Sequence, residues 1–210
     1  MDRRELLKMV ALLTGGVAVG SEFFLSGCTA GGKAEVGFTP ANIALLDEVG
    51  ETILPATASP GAKAAKVGEF MKLMVTDCYE EDDQQIFQEG ITKLNEACTK
   101  MHGHDFMKAS PEQRQALLVA LDKEAKEVQE KRNTAHDSFV KTERERGNVY
   151  PIVDFKNPVP SHYFTMMKQM TLLGFFTSKP GSTEAMRHIA VPGKYDGALA
   201  YKKGDKAWAD

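Results

Sequence analysis

Residues 39–55, TPANIALLDEVGETILP, decide the fold class. Thr39 is a side-chain acceptor placed ahead of Pro40, which is the pattern of an N-cap followed by proline at the first helical position. Ile43, Leu46, Val49 and Ile53 then recur at helical spacing, and Pro55 stops the run because it can neither donate a backbone hydrogen bond nor fit a continuing turn. The next stretch, Pro55 to Lys63, is rich in proline and small residues and extends neither neighbour. Working outward, the same period returns at Val67, Phe70, Met71, Met74 and Cys78. It returns again at Ile86, Phe87, Ile91, Leu94, Cys98 and Met101, where Asp82 or Asp83 can serve as the cap. Ser110-Pro111-Glu112-Gln113 is a capping box, continued by Leu117, Leu118, Leu121, Ala125 and Val128. Ser161 caps a further helix carrying Tyr163, Phe164, Met167, Met170 and Leu173, with Gly174 as its stop. A short helix around Thr183 to Ile189 follows. No period-two alternation or hairpin signal appears. The reading is all-α: a compact, irregular domain of about five to six helices.

Of the 210 residues, 42% are hydrophobic and 26% charged, with a net charge of −3. That balance suits one globular domain with a real core and argues against a nucleic-acid binder, which carries a basic excess. Between Lys123 and Arg146 charges dominate and the apolar stripe thins to Val128, Phe139 and Val140. That stretch is either an exposed helical extension or a loosely packed insertion. Asn148 to Pro160 holds three prolines and reads as a loop.

The chain opens MDRRELLKMVALLTGGVAVGSEFFLSGC. A charged start and a short apolar run make a signal peptide, too short to span a bilayer. Arg3-Arg4 followed by Leu-Leu-Lys resembles the twin-arginine export signal. Leu25-Ser26-Gly27-Cys28 resembles a bacterial lipobox, in which the Cys28 thiol takes lipid and becomes the first mature residue. The expected organisation is a signal over 1–27, a flexible tether over 28–38, a helical domain over 39–197 and a polar tail over 198–210. The expected location is the periplasmic side of a bacterial membrane, lipid-anchored through Cys28.

Residues with reactive side chains form no recognisable constellation. His102-Gly103-His104 is the one close histidine pair and lacks a supporting ligand cluster, and His162 beside Ser161 reads as the first turn of a capped helix. There is no nucleophile elbow, P-loop, dinucleotide fingerprint or haem attachment motif. Cys78 and Cys98 lie about 4 and about 15 residues either side of a turn near Asp82. At ~1.5 Å per residue this offsets them by about 15 Å, too far for a disulfide. Two buried free thiols are expected. Phe175 and Phe176, with Thr177 and Ser178, stand at a helix exit. Either both rings cap the core, or one anchors the loop and the other meets a partner.

An ordered set of motifs then becomes specific. Leu46-Asp47-Glu48-Val49-Gly50-Glu51-Thr52-Ile53-Leu54-Pro55, Ala58-Ser59-Pro60-Gly61-Ala62 and Val67-Gly68-Glu69-Phe70 resemble the start of the gluconate 2-dehydrogenase subunit 3 family. Phe87 to Leu94 is similar to its F-x-x-G-L-x-x-L segment. Tyr163-Phe164 to Leu172, Gly174-Phe175-Phe176-Thr177-Ser178 and Val191-Pro192-Gly193-Lys194-Tyr195 with Gly197 are similar to its closing elements. The resemblance implies a cofactor-free, non-catalytic small subunit. Such a subunit accompanies an FAD-dependent dehydrogenase of the glucose-methanol-choline (GMC) type acting on a sugar or sugar acid, with haem c in a possible cytochrome subunit. A partner bearing the twin-arginine signal can carry a folded flavoprotein across the membrane. The competing reading is an independent periplasmic lipoprotein that binds a sugar or cell-envelope component, and a polar pocket with convergent aromatics would favour it.

Overall fold

The computed structural model describes residues 38–148, 150, 155–191, 193, 196–200 and 202–209. Arg3, Arg4, Cys28, the signal segment and nearly all of the tether lie outside the described residues, as do Pro192, Lys194 and Tyr195 of the closing motif.

Among the described residues, five α-helices carry the domain: α1 (Pro40–Ile53), α2 (Val67–Cys78), α3 (Glu81–His102), α4 (Pro111–Glu145) and α5 (Tyr163–Phe176). The caps follow the local chemistry. Thr39 Oγ1 accepts the Asn42 N–H at 3.2 Å. Ser110 and Gln113 exchange both bonds of a capping box. Gly103, at φ 81°, ends α3 in the left-handed conformation that costs glycine little. Two expected caps are corrected. Helix α3 begins at Glu81 after Glu80, which makes no side-chain cap; Asp82 and Asp83 fall in its acidic first turn, where they face the positive end of the helix dipole. Helix α5 is capped by His162, not Ser161.

Helix α5 is the centre of the domain and packs against each of α1, α2, α3 and α4. That position explains its composition. A helix surrounded by others buries most of its circumference and shows no clean apolar stripe. Tyr163, Phe164, Met166, Met167, Met170, Thr171, Gly174 and Phe175 are all buried. Leu173, expected inward, is exposed because the neighbouring helices do not cover that side of α5. Nor does the helix stop at Gly174; it continues to Phe176 with Thr177 as C-cap. Gly174 serves another purpose: a Cβ there would sit 2.6 Å from Phe70 Cδ1, so its absence lets α2 and α5 approach closely.

The charged stretch is the helical extension. Helix α4 has 35 residues, and its buried positions, Leu117, Leu118, Leu121 and Ala125, end well before its C-terminus. The remaining 20 residues extend it by about 30 Å. The returning chain lies along that extension: Phe155 packs on Phe139 with centroids 4.9 Å apart and on His136 at 5.1 Å. Asn157 Nδ2 donates to the Arg132 carbonyl, and Arg132 donates to the Val159 carbonyl.

After α5 the expected short helix is only a helical turn over Gly181–Ala185. The chain then extends into β1 (Arg187–His188), which pairs in parallel with β2 (Trp208–Ala209) near the end of the tail. The Arg187 guanidinium lies 4.4 Å from the Trp208 ring centroid. Both described cysteines are free, but they differ in burial: Cys98 is buried and Cys78, the last residue of α2, is exposed. Met101, at the end of α3, is likewise exposed. Helical spacing continues to predict burial after the core beneath a helix has ended.

Candidate partner-binding surface

The carboxylates of the α1 motif are committed to the fold. Glu51 Oε1 accepts the Ala56 N–H at 2.8 Å and Oε2 accepts the Lys63 N–H at 2.9 Å. This side chain pins both ends of the Pro-rich loop, and Gly61 lies so close that a Cβ would strike the carboxylate. Asp47 Oδ1 accepts the Gly68 N–H at 2.8 Å in the first turn of α2, where orphan donors and the helix dipole favour an anion. Burial nevertheless pushes the Asp47 carboxyl above its ordinary range, with the Gly68 bond acting in the opposite sense. Glu48 is held below the usual carboxylate range chiefly by its hydrogen bond from Lys63, with Arg114 adding to the effect. Arg114 Nη1 donates to Glu48 at 2.7 Å, and its other nitrogens donate to the Phe106 and Met107 carbonyls at 3.0 Å each. These three acids tie α1 to the loop, to α2 and to α4.

Three of the histidines are similarly engaged. His102 Nε2 lies 3.1 Å from the Gln113 carbonyl and its ring stacks on His104 at 6.4 Å. His136 packs on Phe155, and His162 caps α5. Among the described residues, no three His, Cys, Asp or Glu side chains converge as a metal site, and no helix is long and apolar enough to cross a membrane. A groove of about 550 Å³ runs along α3, lined by Gln88, Asn95, Glu96 and Lys100 among others, with Asn42 of α1 and Asp105 at its edge. Its lining contains no aromatic ring, so it offers no stacking platform for a sugar.

The end of α5 is different. Phe175 is 4% exposed while Phe176 is 41% exposed, their rings meeting edge to face at 5.1 Å. Leu172 and Leu173 are also exposed, as is Leu73 on the adjoining α2. The four sequence-predicted residues thus separate. Phe175 belongs to the core and Phe176 to the surface. Thr177 Oγ1 donates to the Leu173 carbonyl at 2.7 Å. Ser178 Oγ donates to the Phe175 carbonyl at 2.6 Å and accepts the Gly181 N–H at 3.1 Å. Both hydroxyls close the helix end. Gly181 completes the turn, since a Cβ there would overlap the Phe175 carbonyl. Sequence reading left Leu172 out of the candidate surface and placed Leu173 inward. The available signal was the density of apolar residues at 172, 173, 175 and 176: a helix end apolar on all sides cannot bury every one of them.

The domain is thus predominantly helical, with the acids of the α1 motif bonded within the fold and an apolar helix end exposed to water. The chain belongs to the gluconate 2-dehydrogenase subunit 3 family, whose model it matches over residues 40–193. By its description, that family is a subunit of gluconate 2-dehydrogenase. No curated protein and no solved structure matches the chain significantly.

Proposed function

We propose that this chain is the non-catalytic small subunit of a membrane-associated FAD-dependent dehydrogenase of the GMC type that oxidises a sugar or sugar acid. The observation that carries the reading is membership of the subunit 3 family across residues 40–193. The subunit escorts the folded flavoprotein through the twin-arginine route by way of Arg3 and Arg4, stabilises it, and holds it at the periplasmic face through lipid on Cys28. FAD resides in the large subunit and haem c in a cytochrome subunit that takes the electrons. Two structural features support an accessory role. The motif acids Asp47, Glu48 and Glu51 are bonded within the fold. Leu172, Leu173 and Phe176 are left in water, and large aromatic side chains of this kind dominate binding energy when a partner buries them.

The test is co-expression with a GMC-type flavin dehydrogenase large subunit from the same genome. An affinity tag on this chain should retain the large subunit, flavin absorbance included. Dehydrogenase activity should reach the periplasmic membrane fraction only when this chain is present. A large subunit that is exported, anchored and active without this chain overturns the proposal.

A further inference from the structure

The cap on α5 is a histidine, and its geometry dictates one protonation state. The Phe164 backbone N–H points at His162 Nδ1, 3.2 Å away. A backbone N–H can only donate, so Nδ1 must be a bare lone pair and the ring proton of the neutral tautomer must sit on Nε2. Nε2 faces Glu124 Oε1 of α4 at 3.7 Å, beyond a normal hydrogen bond. The imidazole lies against the Tyr163 ring, with centroids 4.5 Å apart, and its side chain is only 9% exposed.

We propose that His162 is a pH-sensitive cap: protonation of Nδ1 removes the acceptor and unlatches the first turn of α5. Adding that proton sets an N–H against the Phe164 N–H. It also places a cation at the positive end of the helix dipole. The groups facing the ring are Glu124 from α4, Lys93 from α3 and Tyr163 beside it. Glu124 favours the imidazolium; burial and Lys93 oppose it, and burial is the largest influence, so the histidine is held below its ordinary value of 6.5. The sign follows. The folded chain prefers the neutral ring, so the cap's stabilisation is complete above pH 6.5 and is lost as the pH falls through the lower folded value.

The location gives the switch reach. Tyr163 is the residue on which α3 closes: Gly90 leaves no room for a Cβ because the Tyr163 side chain occupies that space. Loosening the first turn of α5 therefore loosens its contact with α3 in the helix that packs against all the others. The extracytoplasmic location proposed above would expose the device to external pH, but the device does not rest on that proposal.

The experiment uses the purified full chain and its His162→Asn variant. Asparagine also caps helices well but does not titrate. Between about pH 7.5 and about pH 5, a span that brackets histidine titration, wild type should lose roughly 2–4 °C more in Tm than the variant. The protection factor of the Phe164 amide, which corrects its exchange for the slower base-catalysed intrinsic rate at lower pH, should fall over the same interval in wild type alone. Nitrogen NMR of the wild-type ring reads tautomer and titration without any substitution, so it decides the matter even if the variant folds poorly. It should show the Nε2–H tautomer and titration below pH 6.5. A ring that titrates at or above 6.5, an Nδ1–H tautomer, or an identical pH slope in His162→Asn overturns the proposal.

Discussion

Phe175 and Phe176 are neighbours of identical chemistry with opposite surroundings, which makes them an internal control. Phe175 is 4% exposed and anchors the end of the central helix. Its replacement by alanine opens a cavity and should cost about 3–5 kcal/mol. In a chain of this length each kcal/mol moves Tm by roughly 2–4 °C, so Phe175→Ala should melt at least about 6 °C lower. Phe176 is 41% exposed. It has less burial to lose, and its alanine variant should cost the isolated subunit only about 1 kcal/mol of the 1.5–3 available from complete burial of such a ring. Docking of the large subunit would complete that burial. A hot-spot loss of about 2 kcal/mol weakens the dissociation constant about 30-fold. The assays are calorimetry on each isolated variant and calorimetric titration with the large subunit. A Phe176→Ala variant that stays folded and binds within about threefold of wild type would remove α5 from the interface. A Phe175→Ala variant that melts like wild type would refute the assignment of that ring to the core.

Three further expectations concern other parts of the chain. Gly90→Ala would place a Cβ 2.6 and 2.8 Å from Tyr163 Cγ and Cδ2; the overpacking, about 1–3 kcal/mol, should outweigh the ~1 kcal/mol of helix propensity gained, and thermal melting would show it. Arg114→Ala removes three hydrogen bonds, one to Glu48, and should lower stability by about 3 kcal/mol in denaturant titration; Arg114→Lys should recover less than half, because an ammonium cannot reproduce the guanidinium fork. Cys28→Ala should abolish metabolic labelling with palmitate, and joint replacement of Arg3 and Arg4 by lysine should strand the precursor in the cytoplasm, which fractionation would reveal.

The legible parts of the fold were those governed by local chemistry. Thr39-Pro40 and the Ser110–Gln113 box announce helix starts because their bonds close within a single turn. Helix ends were harder. Gly174 has the composition of a stop, but its role is steric and depends on Phe70, 104 positions away in the chain. The reach of α4 was ambiguous because its distal half is supported by local pairs and a returning segment, without a buried stripe. Gln129–Asn133 at 2.8 Å and Arg146–Glu143 at 2.9 Å are examples. The candidate surface was half visible. Paired phenylalanines at 175 and 176 could be singled out from sequence, but which ring faces water depends on where α1 to α4 stop covering α5.

The acids of the α1 motif, part of the family resemblance, are bonded within the fold. Glu51 holds the loop at Ala56 and Lys63, Asp47 receives the start of α2 at Gly68, and Glu48 receives Arg114 from α4. Each acid fixes one neighbour of α1, and α1 and α2 are two of the walls that enclose α5. Their chemistry is consumed in orienting that central helix. What the orientation leaves over is its C-terminal end, where Ser178 and Gly181 lock the turn so that Phe175 points inward. With Phe175 fixed, Phe176 one residue later is rotated by about 100° around the helix, onto a side that α1 to α4 leave uncovered. The motif thus contributes to a solvent-facing aromatic held edge to face against Phe175. A ring presented this way loses little conformational freedom when a partner covers it, and the docking proposed above for Phe176, with Leu172 and Leu173 beside it, would draw on that saving.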